Sequence, residues 1–382
     1  MDKKPVNIST RLVHGSKGFD PYTGAVSFPI YQSATFRHPG LNQTTGYDYS
    51  RLQNPTREEL ENTVANLESG RFGFAFSSGM AAVSTILSLF APGDHIIVSD
   101  DLYGGTYRLF EEIYKKYGLE FSYVDTSSIQ EIKSAISGNS KAVFVETPSN
   151  PMMKVADLKK ISELARNSGM LSIVDNTFLT PYFQRPLELG ADIVVHSGTK
   201  YLGGHNDTLA GLIAVNDDML AERLKLVQKS AGAILSPFDS WLILRGIKTL
   251  GVRLEKQQEN AFKIARWLCS NKNVTKVNYV GLPDHEGYEI SKTQASGFGA
   301  MISFYVKDKC IVEHMLERVR VIIFAESLGG VESLITYPVV QTHSAIPEEM
   351  RIRIGVTDRL LRLSVGIEAV EDLICDLEQA LM

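Results

Sequence analysis

The stretch ADIVVHSGTKYLGGH, residues 191–205, sets a short apolar run directly before two hydroxyl side chains, a lysine and two glycines. An apolar run of that length bounded by turn residues reads as a buried strand. Its carboxyl end then carries Ser197, Thr199 and Lys200, and a cation at an interior edge is costly unless it has a task there. On a surface loop the same lysine would need no explanation, so the surrounding segments must decide.

Working outward, the pattern repeats. FGFAFS, DHIIVS, EFSYVD, KAVFVE, LSIVD, DIVVHS and GLIAV read as strands, while GMAAVSTILSLF, GTYRLFEEIYKKYG and LKKISELARNSG carry helical periodicity. Strands alternating with amphipathic helices predict an α/β domain with a large, mostly parallel sheet over residues 58–247. Residues 1–57, rich in Tyr, Thr, Pro and Gly, read as an extended N-terminal arm that packs on something, a second subunit included. Beyond SPFDSWLILRGIKTLGVRLEKQQENAFKIARWLCS, a long helix or a broken pair, KVNYV, AMISFYV and VRVIIF read as strands of a smaller α+β domain over 248–382, which closes on the helical AVEDLICDLEQALM.

In open α/β sheets ligands bind beyond the carboxyl ends of the strands. FGFAFS runs into SSGMAA, whose Ser78, Gly79 and Met80 would offer backbone N–H groups to a phosphate at a helix N-terminus. LSIVD ends on Asp175, a carboxylate that is either paired or a turn residue. One crossover later come Ser197, Thr199 and Lys200. A phosphate cradle, a buried carboxylate and a strand-end lysine suit pyridoxal 5'-phosphate (PLP): the amine bonds the aldehyde as a Schiff base, the carboxylate keeps the pyridine nitrogen protonated, and the hydroxyls hold phosphate. Tyr103, after the HIIVS strand, would lay its ring on the cofactor.

Composition narrows the partners. At 382 residues the chain is long enough for two domains, and a net charge of -5 argues against a broad basic surface for nucleic acid. No run of roughly 18 apolar residues predicts a membrane span, and the opening segment has no apolar leader, so a cytoplasmic protein is expected. Cys269, Cys310 and Cys375 have no C-x-x-C spacing and are expected to be reduced, buried or half-buried thiols; the eight histidines form no metal motif. No strand runs into G-x-G-x-x-G, which disfavours a nucleotide-binding dehydrogenase.

Taken in order, TGAVSFPIYQSATF, YDYSRLQNPTR, FSSGMAA, DLYGGTYR, ETPSNP, VDNTF, HSGTKYLGGH, AESLGGVESL and RLSVGIE resemble the Cys/Met-metabolism (transsulfuration) family of fold-type-I PLP enzymes over essentially the whole chain. The resemblance implies Lys200 as the Schiff-base lysine, Asp175 on the pyridine nitrogen, Tyr103 on the ring, and Gly79, Met80, Ser197 and Thr199 on the phosphate. It implies that Tyr49 and Arg51 reach the phosphate of a neighbouring subunit, with a homotetramer as the assembly. For substrate it implies Arg362 as the α-carboxylate clamp, helped by Ser327 and Asn150.

Reaction type rests on fewer positions. Gly105 stands where the methionine γ-lyases of this family have a cysteine, and Leu52 where some succinyl-homoserine synthases have a second arginine. Glu326 matches the glutamate of cystathionine γ-synthases and γ-lyases, where many β-lyases carry an aromatic or small apolar residue, and Arg108 matches a synthase-like arginine. The resemblance therefore implies γ-replacement of an O-acyl-L-homoserine, acetyl favoured, by cysteine or another thiol. Cystathionine γ-lyase is the alternative, with β-lyase and methionine γ-lyase behind it.

Overall fold

The structure, a computed structural model, describes residues 6–382. Seven strands form the larger sheet: β1 (Phe72–Phe76), β2 (His95–Ser99), β3 (Glu120–Val124), β4 (Ser140–Glu146), β5 (Leu171–Asp175), β6 (Ile193–Ser197) and β7 (Gly211–Val215). They lie in the order β1-β7-β6-β5-β4-β2-β3, with β7 antiparallel to both its neighbours and every other pairing parallel. The seven expected strands are all present. They are legible because a sheet covered on both faces makes each strand a near-continuous apolar run. On one face Phe76, Ile96 and Phe144 pack with Val83 and Ile86 of the helix Gly79–Leu87 and Leu224 of Asp218–Ala231. On the other, Ile97, Val143 and Val174 meet Ile161 and Ala165 of Leu158–Asn167.

The strand directions bring the carboxyl ends of β1, β2, β4, β5 and β6 to one edge. Glu146 and Asp175, the last residues of β4 and β5, are register partners. The other expected helix is shorter than its periodicity suggests: Gly104–Glu112 is α-helical, followed by a 3-10 turn at Tyr114–Tyr117.

A second sheet holds β8 (Val274–Asn278), β9 (Met301–Val306), β10 (Ile323–Phe324), β11 (Leu334–Thr336) and β12 (Leu360–Ser364), ordered β10-β11-β12-β9-β8 and antiparallel except between β10 and β11. The helices Leu250–Ser270 and Val370–Leu381 bury Leu254, Ile264, Leu373 and Leu377 against Ile302, Phe304, Leu361 and Leu363. The 236–270 segment is a broken pair, Pro237–Ile247 and Leu250–Ser270.

Three expectations need correction. VRVIIF supplies only the two-residue edge strand β10, with Ile323 and Phe324 exposed. The short β11 and the arginine-bearing β12 carry no simple strand pattern and were not expected as strands. The three cysteines are exposed rather than buried or half-buried, because each lies on the outer side of a helix whose apolar stripe faces inward.

At the start of β7 a Cβ on Gly211 would lie 2.0 Å from the Ser78 carbonyl oxygen and 2.9 Å from the Ala82 Cβ. Strand and helix start are therefore in backbone contact. Gly211→Ala is expected to lose about 1–3 kcal/mol of stability, as overpacking typically does, and to lower the midpoint of thermal unfolding; an unchanged midpoint would show that the two segments part easily.

Candidate active site

The loaded strand ends open on a cavity of about 330 Å³ between the two sheets, a size that suits a small ligand. Lys200, Asp175, Tyr103, Gly79, Met80, Ser197 and Thr199 line it, and so do Arg362, Ser327, Asn150 and Glu326. The sequence reading and the topology thus converge on one place.

On the first-sheet side, Ser78 caps the helix Gly79–Leu87, its Oγ accepting from the Ala81 N–H at 3.1 Å. The amides of Gly79 and Met80, in the first turn, have no acceptor within the helix. Gly79 sits so close to β6 that a Cβ would meet the Ser197 Oγ at 3.2 Å. The Thr199 Oγ1 accepts from the Ala210 N–H at 3.0 Å, which fixes the turn leading to Lys200.

Asp175 receives the Thr177 N–H at 3.0 Å and the Thr177 hydroxyl, both on Oδ1. No protein donor reaches Oδ2 among the described residues. Beside it, Glu146 accepts the Tyr103 N–H at 2.9 Å on Oε2 and so anchors the start of the helix that carries Tyr103. Burial holds both carboxyls above their ordinary range, and for Glu146 the neighbouring Asp175 charge adds to it. Glu146 lines the cavity but was not singled out from sequence. Applying the strand-end rule to KAVFVE as strictly as to LSIVD finds it. The Tyr103 ring overlies the next turn: a Cβ on Gly105 would lie 2.4 Å from its Cε1, so the glycine leaves the ring room in this position.

From the second sheet, Arg362 on β12 is 1% exposed. Its Nη1 donates to the Asn150 Oδ1 at 2.8 Å, and its Nη2 to the Ser327 carbonyl at 3.0 Å and the Thr336 Oγ1 at 3.2 Å. Among the described residues its Nε has no partner. Lys200 donates from Nζ to the Ser327 Oγ at 2.8 Å. Burial, helped by the Arg362 charge and opposed by Glu326, pulls the Lys200 amine down to about 8, and burial pulls Arg362 down to about 10.

Three expected site residues do not line this cavity. Tyr49 and Arg51 are exposed on the arm, with the Arg51 guanidinium 5.6 Å from the Tyr49 ring centroid and bonded to the Lys229 carbonyl. Arg108 is exposed on the helix Gly104–Glu112. Thr177 and Thr342, by contrast, line the cavity and were not anticipated; both sit in loops, where residue type alone gives no signal.

Residues 9–382 match the profile of the Cys/Met metabolism PLP-dependent enzymes. A cystathionine beta-lyase of Lactococcus lactis subsp. cremoris is 52% identical over 98% of this chain and 99% of its own. A cystathionine gamma-synthase/O-acetylhomoserine (thiol)-lyase of Bacillus subtilis is 53% identical over 98% and 96%. The crystal structure of cystathionine gamma-lyase from Lactobacillus plantarum complexed with L-serine superposes with a TM-score of 0.95 at 46% identity, covering 98% of both chains.

The residues present fit PLP. The free Oδ2 of Asp175 can take a protonated pyridine nitrogen, the Gly79 and Met80 amides can take phosphate, and the Lys200 amine can meet an aldehyde. With the cofactor removed, a lysine whose pKa is lowered to about 8 is largely neutral one unit above that value, whereas exposed lysines stay charged. Amine labelling followed by peptide mass spectrometry should show Lys200 half-reactive near pH 8. A midpoint near that of the exposed lysines would contradict the buried placement of Nζ.

Proposed function

Since the chain belongs to the Cys/Met metabolism family of PLP-dependent enzymes, we propose that it catalyses cystathionine γ-synthase-type γ-replacement. Cysteine or another thiol displaces the acyloxy group of an O-acyl-L-homoserine, acetyl favoured. The observation that carries this reading is Glu326, an exposed carboxylate that lines the cavity together with the buried Arg362. A substrate whose α-carboxylate lies on Arg362 can extend toward a carboxylate able to receive the ammonium of an incoming cysteine.

PLP, when bound, supplies the electron sink that lets Cα and Cβ lose protons. Arg362 receives the α-carboxylate, its unpartnered Nε adding a donor to a guanidinium that Asn150 orients. Lys200, neutral for part of the time at physiological pH, takes the proton at Cα and moves protons at Cβ while the acyloxy group leaves as a carboxylate; the thiol gives up its proton as its sulfur bonds to Cγ, and protons return to Cβ and Cα. Tyr103 would cover the cofactor ring, and Gly79, Met80, Ser197 and Thr199 would hold its phosphate. Arg108 has no part in this reading.

Tyr49 and Arg51, outside the cavity of their own chain, serve the phosphate of a neighbouring subunit in a homotetramer. Elimination from cystathionine is the second reading, favoured by the relatives named as lyases. Steady-state rates on O-acetylhomoserine plus cysteine, set against cystathionine alone, separate the two: faster turnover of cystathionine would replace the synthase assignment with a lyase.

Glu326→Ala should lower catalytic efficiency with cysteine by about tenfold to a hundredfold, the worth of a charge-assisted contact, while sparing sulfide, which has no ammonium. Equal losses with both nucleophiles would remove the ammonium role. Mixing Arg51→Ala with Lys200→Ala protein should restore part of the activity, because some hybrid pairs then hold one site with both groups native. Failure after verified subunit exchange would count against shared sites.

A further inference from the structure

We propose that His343 is a positioning residue for the substrate carboxylate, acting through Asn150 on Arg362. His343 is fully buried. Its Nε2 lies 2.9 Å from the Asn150 carbonyl oxygen, and its Nδ1 lies 2.8 Å from the Thr342 Oγ1. A carbonyl can only accept, so Nε2 carries the hydrogen, and Nδ1 is left to accept from the Thr342 hydroxyl. Burial pulls the imidazole down to about 4, against the Asn150 and Leu102 backbone contacts that favour its charged form, so the ring is neutral.

Asn150 therefore presents two acceptors with separate duties. Its carbonyl holds His343, and its side-chain Oδ1 holds the Arg362 Nη1. Removing the His343 N–H takes away a donor that holds the Asn150 backbone, so Oδ1 is no longer held in place for the guanidinium. Arg362 would then keep only the Ser327 carbonyl and the Thr336 hydroxyl, both on Nη2, and its Nε would lose its aim.

The same turn supports the opposite wall of the site. A Cβ on Gly104 would lie 2.0 Å from the Thr342 carbonyl oxygen, so the helix that begins after Tyr103 rests directly on it. The turn is itself closed by the His343 N–H donating to the Pro338 carbonyl at 2.9 Å. Thr342 and His343 thus fix the ring-facing tyrosine and the carboxylate clamp relative to each other.

This inference rests on Arg362 receiving the carboxylate, and the test separates the two. Binding of L-homoserine and of 3-aminopropanol, the same skeleton without its carboxylate, is measured on the holoenzyme by the change in cofactor absorbance. His343→Leu should weaken L-homoserine by about tenfold and leave 3-aminopropanol within about twofold, while His343→Gln, which keeps an N–H where Nε2 stood, should restore most of the loss. If His343→Leu does not fold, His343→Asn, too short to reach the Asn150 carbonyl, takes its place. Equal losses for both ligands, or none, would overturn the positioning role. Arg362→Lys supplies the reference: if it too fails to distinguish the ligands, the carboxylate assignment falls, and the His343 role with it.

Discussion

A guanidinium that is 1% exposed has to be given acceptors, and Arg362 takes them from three separate stretches of chain: Asn150 after β4, Ser327 before β11 and Thr336 within β11. The first belongs to the loops of the larger sheet and the others to the smaller one. This one side chain therefore ties the two sheets together beside the cavity. A hydrogen bond to a charged group typically contributes about 1.5–3 kcal/mol, so the contacts that orient this guanidinium also resist any parting of the sheets around it.

Ser327 shows the local consequence. Its φ of 99° lies where side chains are rarely found. The conformation lets one residue serve two cations, the carbonyl accepting from Arg362 and the hydroxyl from Lys200. Strain of this kind persists where surrounding contacts over-determine the backbone. The neighbouring Gly329 adds a further constraint, since a Cβ there would lie 2.6 Å from the Tyr201 nitrogen, next to the lysine.

How much of this was legible depended on how each element is buried. The larger sheet could be read because most of its strands are near-continuous apolar runs; β2 is buried at every position. In the smaller sheet β12 is also buried at every position, yet its central residue is Arg362, so charge hides the strand just where function needs it. VRVIIF failed in the opposite way, because Val321, Ile323 and Phe324 are exposed at an edge. The residues expected at the cofactor follow strand ends and stood out. Glu146 went unnoticed although it obeys the same rule, and His343 acts only through a backbone carbonyl, a relation that no residue pattern encodes. Arg108 matches a motif, but its helix turns it outward.

The edge strand β10 bears on solubility. An exposed Ile-Phe pair on an unclosed sheet edge is the chemistry that recruits other strands into extended aggregates. Here the edge is only two residues long and runs parallel to its neighbour. A foreign strand would find too few amide and carbonyl groups to offset its own loss of freedom, so brevity protects this margin where charge does not.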